Sequence, residues 1–538
     1  MKILLLLGGL LVVGVNANIP CASRFLNNSV VCVCNATYCD TITRKVPEAG
    51  TFVAYTSSKS GLRFSITQGD IEEADTSYSN ADYGKVFDLQ PKKVYQVIEG
   101  FGGAATDSSA MNWKKMKPAI QETLVKSYFS EEGIEYNIIR LPIGSTDFST
   151  RFYAYNEYPK DDTSLSNFTF APEDIEYKIP LLKSCLNAAN NEVRIVSATW
   201  SPPKWMKVKE PQSGISFIKE EYYQVYSDYH CKFAELFEGE GIHIWGISTG
   251  NEPLVNMFAG VRKEETAWNA PSFAKFIKKY FGPTIRNCSV NDMKILAIED
   301  QRYALPLFFT KLQSDTEAMS YVDGISLHFY GDKNTPASTI PKVLKDFPDK
   351  FVLYTEACNG PQSPKDEKVV LGSWDRAKSY FTDILENLNY NVVGWLDWNM
   401  FLNTEGGPTW IKNFVDSSII VDYDKQEFYK QPTFYAMGHF SKFVPRGSQR
   451  IKVKTILPVT DPNLDVIDLT KVEADFFDNV AFITPKGTIV VIIHNEGAAQ
   501  DCAIQLDGSQ ATVFLEAESI TTVEIPYDGN SLGTPCSK

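Results

Sequence analysis

The segment "HIWGISTGNEP", residues 243–253, decides the fold. Its first half is apolar and β-branched, a run of the kind that forms a buried strand, and Gly250 and Pro253 stop it. Residues 351–360, "FVLYTEACNG", repeat the form: a short apolar run, a glutamate at its end, a glycine soon after. The same reading picks out "VIEGFGGAATD" near Val97, "YNIIRLPIG" near Tyr136, "RIVSATWSPP" near Arg194, "KILAIEDQR" near Lys294, "DGISLHFY" near Asp323 and "VVGWLDWNMF" near Val392. Between these eight runs lie longer stretches such as "FAKFIKKYFGPTIRN" and "WDRAKSYFTDILENLN", with apolar residues at helical spacing. Eight strands alternating with helices predict an α/β chain built on a (β/α)8 TIM barrel. A doubly wound open sheet is the alternative. The barrel is preferred because Asp107, Arg140, Trp200, Glu252, Tyr330, Glu356 and Trp398 recur at strand C-terminal ends, the face where a barrel carries its active site.

The flanks have a different period. From about Gly447 the chain alternates over short runs, "VAFITPKGTIVVIIHN", "AIQLDGS" and "ATVFLEAESITTVEIP", a β-sandwich pattern. Thr51 to Gln68 alternates as well and can supply strands to the same sheet. The sandwich is therefore expected to be discontinuous, built from both sides of the barrel.

The chain of 538 residues is long enough for two or three domains, and 43% hydrophobic residues suffice for large cores. A formal charge of -14 argues against nucleic acid as a partner and is compatible with an acidic compartment. Lys2, the apolar run Ile3 to Val15 and the small residues ending at Ala17 predict a signal peptide cleaved after Ala17. That run is shorter than the ~20 residues that span a bilayer. An uncleaved anchor is the competing reading. Cys21, Cys32, Cys34 and Cys39 crowd the first mature residues, as in a small disulfide-tied lobe, with a zinc site as the rival. Cys185, Cys231, Cys288 and Cys358 lie in apolar or strand-like segments and are expected free and buried. The pairing of Cys502 with Cys536 stays open. Asn27, Asn35, Asn167 and Asn287 head N-x-S/T sequons, which in a secreted chain mark surface positions and candidate glycans.

Two carboxylates at matching ends of two parallel strands can face each other across a pocket. Glycoside hydrolysis needs such a pair, one acid to protonate the leaving oxygen and one carboxylate to attack or to activate water. Asn251 offers an amide for a sugar 2-hydroxyl, Asp107 follows a Gly-Gly turn and can accept from sugar hydroxyls, and Trp200 and Trp398 offer flat faces to a pyranose. Singly, each residue has an ordinary structural explanation; their joint occurrence at strand ends favours the site. "GISTG", residues 246–250, also fits a serine-esterase elbow with Ser248 as nucleophile, but the run continues into Asn-Glu-Pro with no clean step to a helix. Five histidines without ligand spacing give no metal site, and no cofactor is expected. A non-catalytic sugar-binding protein is disfavoured because both carboxylates are present.

Longer runs carry a resemblance. "SVVCVCNATYCD", "GFGGAATDSSAMN", "KSYFSEEGIEYNIIRLPIGSTDFSTR", "NEP", "DQR", "TEAC", "LGSWDR", "VVGWLDWNMFLNTEGGPTWIKNFVDS" and "FYKQPTFYAMGHFSKFVPRGSQR" resemble the acid glucosylceramidases of glycoside hydrolase family 30, which also holds bacterial xylanases and β-glucanases. The likeness covers nearly all the mature chain. It implies Glu252 as acid/base and Glu356 as nucleophile of a retaining β-glucosidase acting on glucosylceramide, with Asp107, Trp200, Asn251, Trp398 and Asn413 lining the sugar site and Arg140 and Tyr330 near the carboxylates. It implies disulfides Cys21–Cys32 and Cys34–Cys39. It also implies a lysosomal or secreted protein meeting a glycosphingolipid at a membrane, aided by anionic lipid and a saposin-type activator. The loops after Trp200 and Tyr330 depart from the family's form, and these shape the aglycone entrance; a polysaccharide-cleaving relative is the rival. The expected layout is a signal peptide (1–17), an N-terminal lobe (18–46), a sandwich (47–92 plus 447–525) and a barrel (93–446) whose segment at about 399–430 packs on the lobe.

Overall fold

The computed structural model describes residues 18–74, 84–209, 215–258, 265–360, 367–456 and 478–528; the predicted signal peptide and Cys536 lie outside the described residues. Eight parallel strands close into one barrel: β1 (Gly100–Ala104), β2 (Ile138–Ile143), β3 (Arg194–Thr199), β4 (Ile244–Ser248), β5 (Lys294–Gln301), β6 (Gly324–His328), β7 (Phe351–Glu356) and β8 (Val392–Asn399). The last pairs with the first, Trp395 opposite Phe101. Every residue of β2, β6 and β8 is buried. One face of such a strand turns into the barrel and the other meets the helices, so no polar alternation survives and the sequence shows continuous apolar runs. Inside, Ile138, Val196, Leu296, Leu353, Val393 and Leu396 pack as a layer below the mouth. Outside, the helix Trp374–Asn389 buries Ala377, Phe381, Ile384 and Leu388 at a spacing of three and four, Tyr380 packs on Trp395 of β8, Phe381 meets His494, and Ser373 caps the first turn. "FAKFIKKYFGPTIRN" is helical too. Its middle, Ile277–Phe281, is a wider turn before Pro283, which has no N–H to continue the i→i−4 series.

Among the described residues nine strands form the sandwich, and their ladder closes on itself. Three come from before the barrel, Thr51–Ser58, Ser65–Glu73 and Lys85–Val97, and six from Gln449 onward. Val523 stands opposite Ala54 and Ile451 opposite Val94, so the two halves of the chain share one ladder. Phe52, Phe87, Leu89, Val491, Val513 and Val523 fill its core. Lys85–Val97 runs past residue 92 almost directly into β1.

The N-terminal lobe is a hairpin, Ser23–Leu26 with Ser29–Cys34, held by the bridges Cys21–Cys32 and Cys34–Cys39. It does more than support the segment after β8. Glu427–Lys430 pairs directly with Ser29–Cys34, and Ile419–Asp422 and Phe401–Asn403 extend the same sheet. Val31 of this sheet belongs to the apolar cluster that contains Trp200 and Trp398, so the lobe backs the barrel mouth.

One cysteine expectation is overturned. Cys231, on the helix Tyr223–Glu238, is bridged to Cys288. Among the described residues Cys185, Cys358 and Cys502 are free, and Cys358 is half-buried rather than buried. Hydrophobic surroundings cannot distinguish a buried thiol from a buried bridge, and the two partners stand 57 residues apart in sequence.

Candidate active site

Glu356 is the last residue of β7, and Glu252 lies four residues beyond β4. A carboxylate oxygen of each and a ring nitrogen of His328, at the end of β6, all lie within 4.8 Å of one another. Both glutamates are about 95% buried, at 4% and 5% exposure. Glu252 has φ +46°, the left-handed region that side chains rarely adopt, and such strain concentrates at functional sites. Its N–H donates to the Glu299 carbonyl at 2.8 Å. Its Oε1 accepts from Gln301 Nε2 at 2.8 Å and lies 3.1 Å from His328 Nδ1. Glu356 accepts from Arg140 Nη1 at 2.5 Å and from the Tyr330 hydroxyl at 2.9 Å.

Arg140 lies within β2 rather than at its end, and it is wholly buried beneath the carboxylates. It also donates to Glu299 Oε1 at 2.7 Å and Asn251 Oδ1 at 2.8 Å. Burial works against its charge, but Glu299 and Glu356 outweigh that and raise its pKa. Burial likewise pushes the Glu299 carboxyl up, yet Arg140 and His328 pull it down to about 2. His328 is disfavoured as a cation by burial, and Glu356, Glu252 and Glu299 together hold it up at about 10. The centre therefore interleaves two cations with three carboxyl groups.

A bulge at the end of β5 shapes this arrangement. Ile298 and Glu299 have φ +82° and +52°, and the register against β6 shifts between Ile298 and Asp300. Three consecutive polar side chains then take three directions. Glu299 meets Arg140, Gln301 meets Glu252, and Asp300 Oδ2 accepts from the N–H groups of Leu254 and Val255 at 2.6 and 3.1 Å. Burial and the neighbouring Glu252 push Asp300 up to about 7.

The remaining expected residues surround this centre. Trp200 and Trp398 stack on each other with centroids 4.8 Å apart and planes at 9°, and the Arg140 guanidinium sits over both rings. Their broad faces are thus turned to one another rather than left as two free platforms. Asn413 donates to Asp147 Oδ2 at 2.9 Å. Asp107 sits deeper, taking hydrogen bonds from Ser149 and Tyr153 and pairing with the fully buried Lys178 at 3.1 Å. The structure thus puts Asp147, not Asp107, beside Asn413. Ser248 corrects the esterase alternative: it is wholly buried within β4, its Oγ donates to the Gly250 carbonyl at 3.4 Å, and it lacks the exposed elbow. Sequence reasoning missed His328, Glu299, Asp300, Gln301 and Asp147. The run of polar residues closing "KILAIEDQR" was the available signal for three of them.

A close pair of buried carboxylates at the mouth of a (β/α)8 barrel, one against a guanidinium and one gripped by an amide, is the apparatus of glycosidic-bond cleavage. The class this defines is a carboxylate-pair glycoside hydrolase. Residues 98–444 match the glycosyl hydrolase family 30 TIM-barrel domain, and residues 447–523 match the family 30 β-sandwich domain. The chain belongs to glycosyl hydrolase family 30. It is 39% identical to lysosomal acid glucosylceramidase of Mus musculus over 486 residues, 89% of this chain and 90% of that one. It is 38% identical to putative glucosylceramidase 3 of Caenorhabditis elegans, over 80% of this chain and 82% of that one. SrfJ from Salmonella typhimurium shares the fold at TM-score 0.76 and 21% identity, over 89% of this chain and all of that one.

Proposed function

We propose that this chain is a retaining β-glucosidase that hydrolyses glucosylceramide to glucose and ceramide, with Glu356 as nucleophile and Glu252 as acid/base. The observation that carries the mechanism is the carboxylate spacing. Retaining enzymes hold the two carboxyl groups about 5–5.5 Å apart, inverting ones roughly 6.5–9.5 Å. A carboxylate oxygen of Glu252 within 4.8 Å of one of Glu356 supports the shorter, retaining spacing. Glu252, oriented by Gln301, protonates the leaving ceramide oxygen. Glu356 attacks the anomeric carbon, and Tyr330 and Arg140 hold it in line. Glu252, then a carboxylate, takes a proton from the water that releases glucose. Trp200, Trp398, Asn251 and Asn413, with Asp147 beside Asn413, line the glucose subsite.

The lipid aglycone is supported by the relatives and by the rim. Val208, Phe258, Tyr330 and Ile411 stand exposed on the loops after β3, β4, β6 and β8, the mouth of the barrel. Large apolar side chains exposed on the loops of that face suit a lipid surface. No helix among the described residues is long and apolar enough to cross a membrane. The likeness to lysosomal acid glucosylceramidase supports action on membrane lipid from outside, in the lysosome or after secretion. Acidification reduces repulsion between a chain of charge -14 and anionic lipid, and a saposin-type activator assists. The rival is cleavage of a polysaccharide. A relative at 24% identity is the endo-1,6-β-D-glucanase of Neurospora crassa. One experiment separates them: turnover of glucosylceramide in anionic vesicles against soluble β-glucan and xylan, with proton NMR of the first sugar released. β-Glucose from vesicles supports the proposal. Faster polysaccharide cleavage refutes the substrate, and an α-anomer refutes the mechanism.

A further inference from the structure

The bridge Cys231–Cys288 and the sequon Asn287-Cys288-Ser289 use the same residue. Cys288 is the middle position of the sequon and half of the disulfide. In the folded chain all three sequon residues are tied. Asn287 ends the helix Gly282–Arg286, and its Nδ2 donates to the Pro283 carbonyl at 2.8 Å. Ser289 Oγ donates to Glu235 Oε1 at 2.8 Å, on the helix that carries Cys231. Cys288 is 6% exposed and packs in the main core. The ties of Cys288 and Ser289 are long-range, to partners 57 and 54 residues earlier. Asn167, in another sequon, differs. Its amide bonds Asp162 and Ser166, within five residues, in an exposed loop without a cysteine.

Glycan transfer needs the whole tripeptide free. The Asn amide nitrogen attacks the anomeric carbon of a lipid-linked oligosaccharide, the N–C bond forms, a proton is lost and the lipid pyrophosphate leaves. The Ser or Thr hydroxyl must meet the transferase at the same time. We infer that closure of Cys231–Cys288 and glycosylation of Asn287 compete during maturation: once the bridge forms, the sequon is closed to transfer. Closure is thiol–disulfide exchange. The Cys288 or Cys231 thiolate attacks a disulfide donor, the mixed disulfide is displaced by the other cysteine, and the donor leaves as two thiols. Cys231 is synthesised 57 residues ahead, so its partner is waiting when Cys288 arrives. The side chain of Asn287 is at the surface, and the finished fold has room for a glycan there. Order of events, not space, decides. The inference rests on import of the chain into the secretory pathway, independently of its substrate.

The test is cell-free translation of the full chain, placed behind a signal sequence that guarantees import into microsomes, with glycopeptide mass spectrometry of the protease-protected product. Asn167 is the internal control. The expected result is lower occupancy at Asn287 than at Asn167, and a several-fold rise at Asn287 alone in Cys231→Ser, which leaves the sequon intact. Reductant during translation of the unsubstituted chain produces the same rise without a mutation. Because transfer is read before folding is complete, a variant that folds poorly still reports. Occupancy at Asn287 equal to that at Asn167, or unmoved by both Cys231→Ser and reductant, overturns the inference.

Discussion

Gln301→Met isolates the grip on the proposed acid. Gln301 Nε2 donates to Glu252 Oε1 at 2.8 Å in a site that water barely reaches. Hydrogen bonds to charged groups are worth about 1.5–3 kcal/mol, and each 1.36 kcal/mol is tenfold in rate, so losing this one costs about 10- to 150-fold where Glu252 must deliver its proton accurately. The substitution also strips the Gly331 N–H of its acceptor, Gln301 Oε1 at 2.9 Å, which lowers stability but does not depend on substrate. The assay is kcat/KM, which reports steps only through glycosylation, for an alkyl β-glucoside and for 2,4-dinitrophenyl β-glucoside, with active sites counted by covalent titration. The alkyl substrate needs a proton on its leaving oxygen; dinitrophenolate does not. The expected outcome is a loss of that size for the alkyl glucoside and almost none for the activated one. Equal losses on both would refute the reasoning, because Gln301 would then be acting on something other than proton delivery.

Glu252→Gln abolishes turnover of glucosylceramide at every pH, and azide restores cleavage of the activated aryl glucoside as the β-glucosyl azide; absence of that product by NMR would remove Glu252 from the acid/base role. Asp397 is buried, and despite hydrogen bonds from Ser418 and Tyr380 burial pushes it up to about 7. A carboxyl raised in the folded state adds stability that is complete below its unfolded pKa near 3.8 and lost as pH rises through 7. The wild type should therefore gain about 2 kcal/mol relative to Asp397→Asn between pH 7 and pH 5, read by urea denaturation at both values, and a pH-independent difference would contradict the shift. Lys178→Met leaves Asp107 and Asp174 buried without their cation, an expected loss of about 3–5 kcal/mol measured the same way; a loss under 1 kcal/mol would mean water reaches the pair.

The architecture was legible because continuous apolar runs and helical spacing are the direct imprint of a barrel strand buried on both faces and a helix buried on one. All eight predicted strands form, and Thr51–Ser58 and Ser65–Glu73 join the sandwich from the far side of the barrel. What resisted reading depends on local geometry or distant partners. A period of two cannot assign inward directions to Glu299, Asp300 and Gln301, because the bulge with φ +82° and +52° re-aims each of them. Asp107 and Asp147 look alike in sequence. Only the fold brings Asn413, 266 residues later, to one and Lys178 beneath the other. Tryptophans at strand ends suggested two sugar platforms, and only their placement shows that the rings stack on each other.

The central claim is a covalent glucosyl intermediate on Glu356. Incubating the protein with a glucose-configured epoxide or aziridine cyclitol and mapping the adduct by peptide mass spectrometry tests it most directly. The account predicts a single adduct on the peptide containing Glu356, lost in Glu356→Gln and prevented by a competing glucoside. An adduct on any other residue, or β-glucoside turnover undiminished in Glu356→Gln, would contradict it.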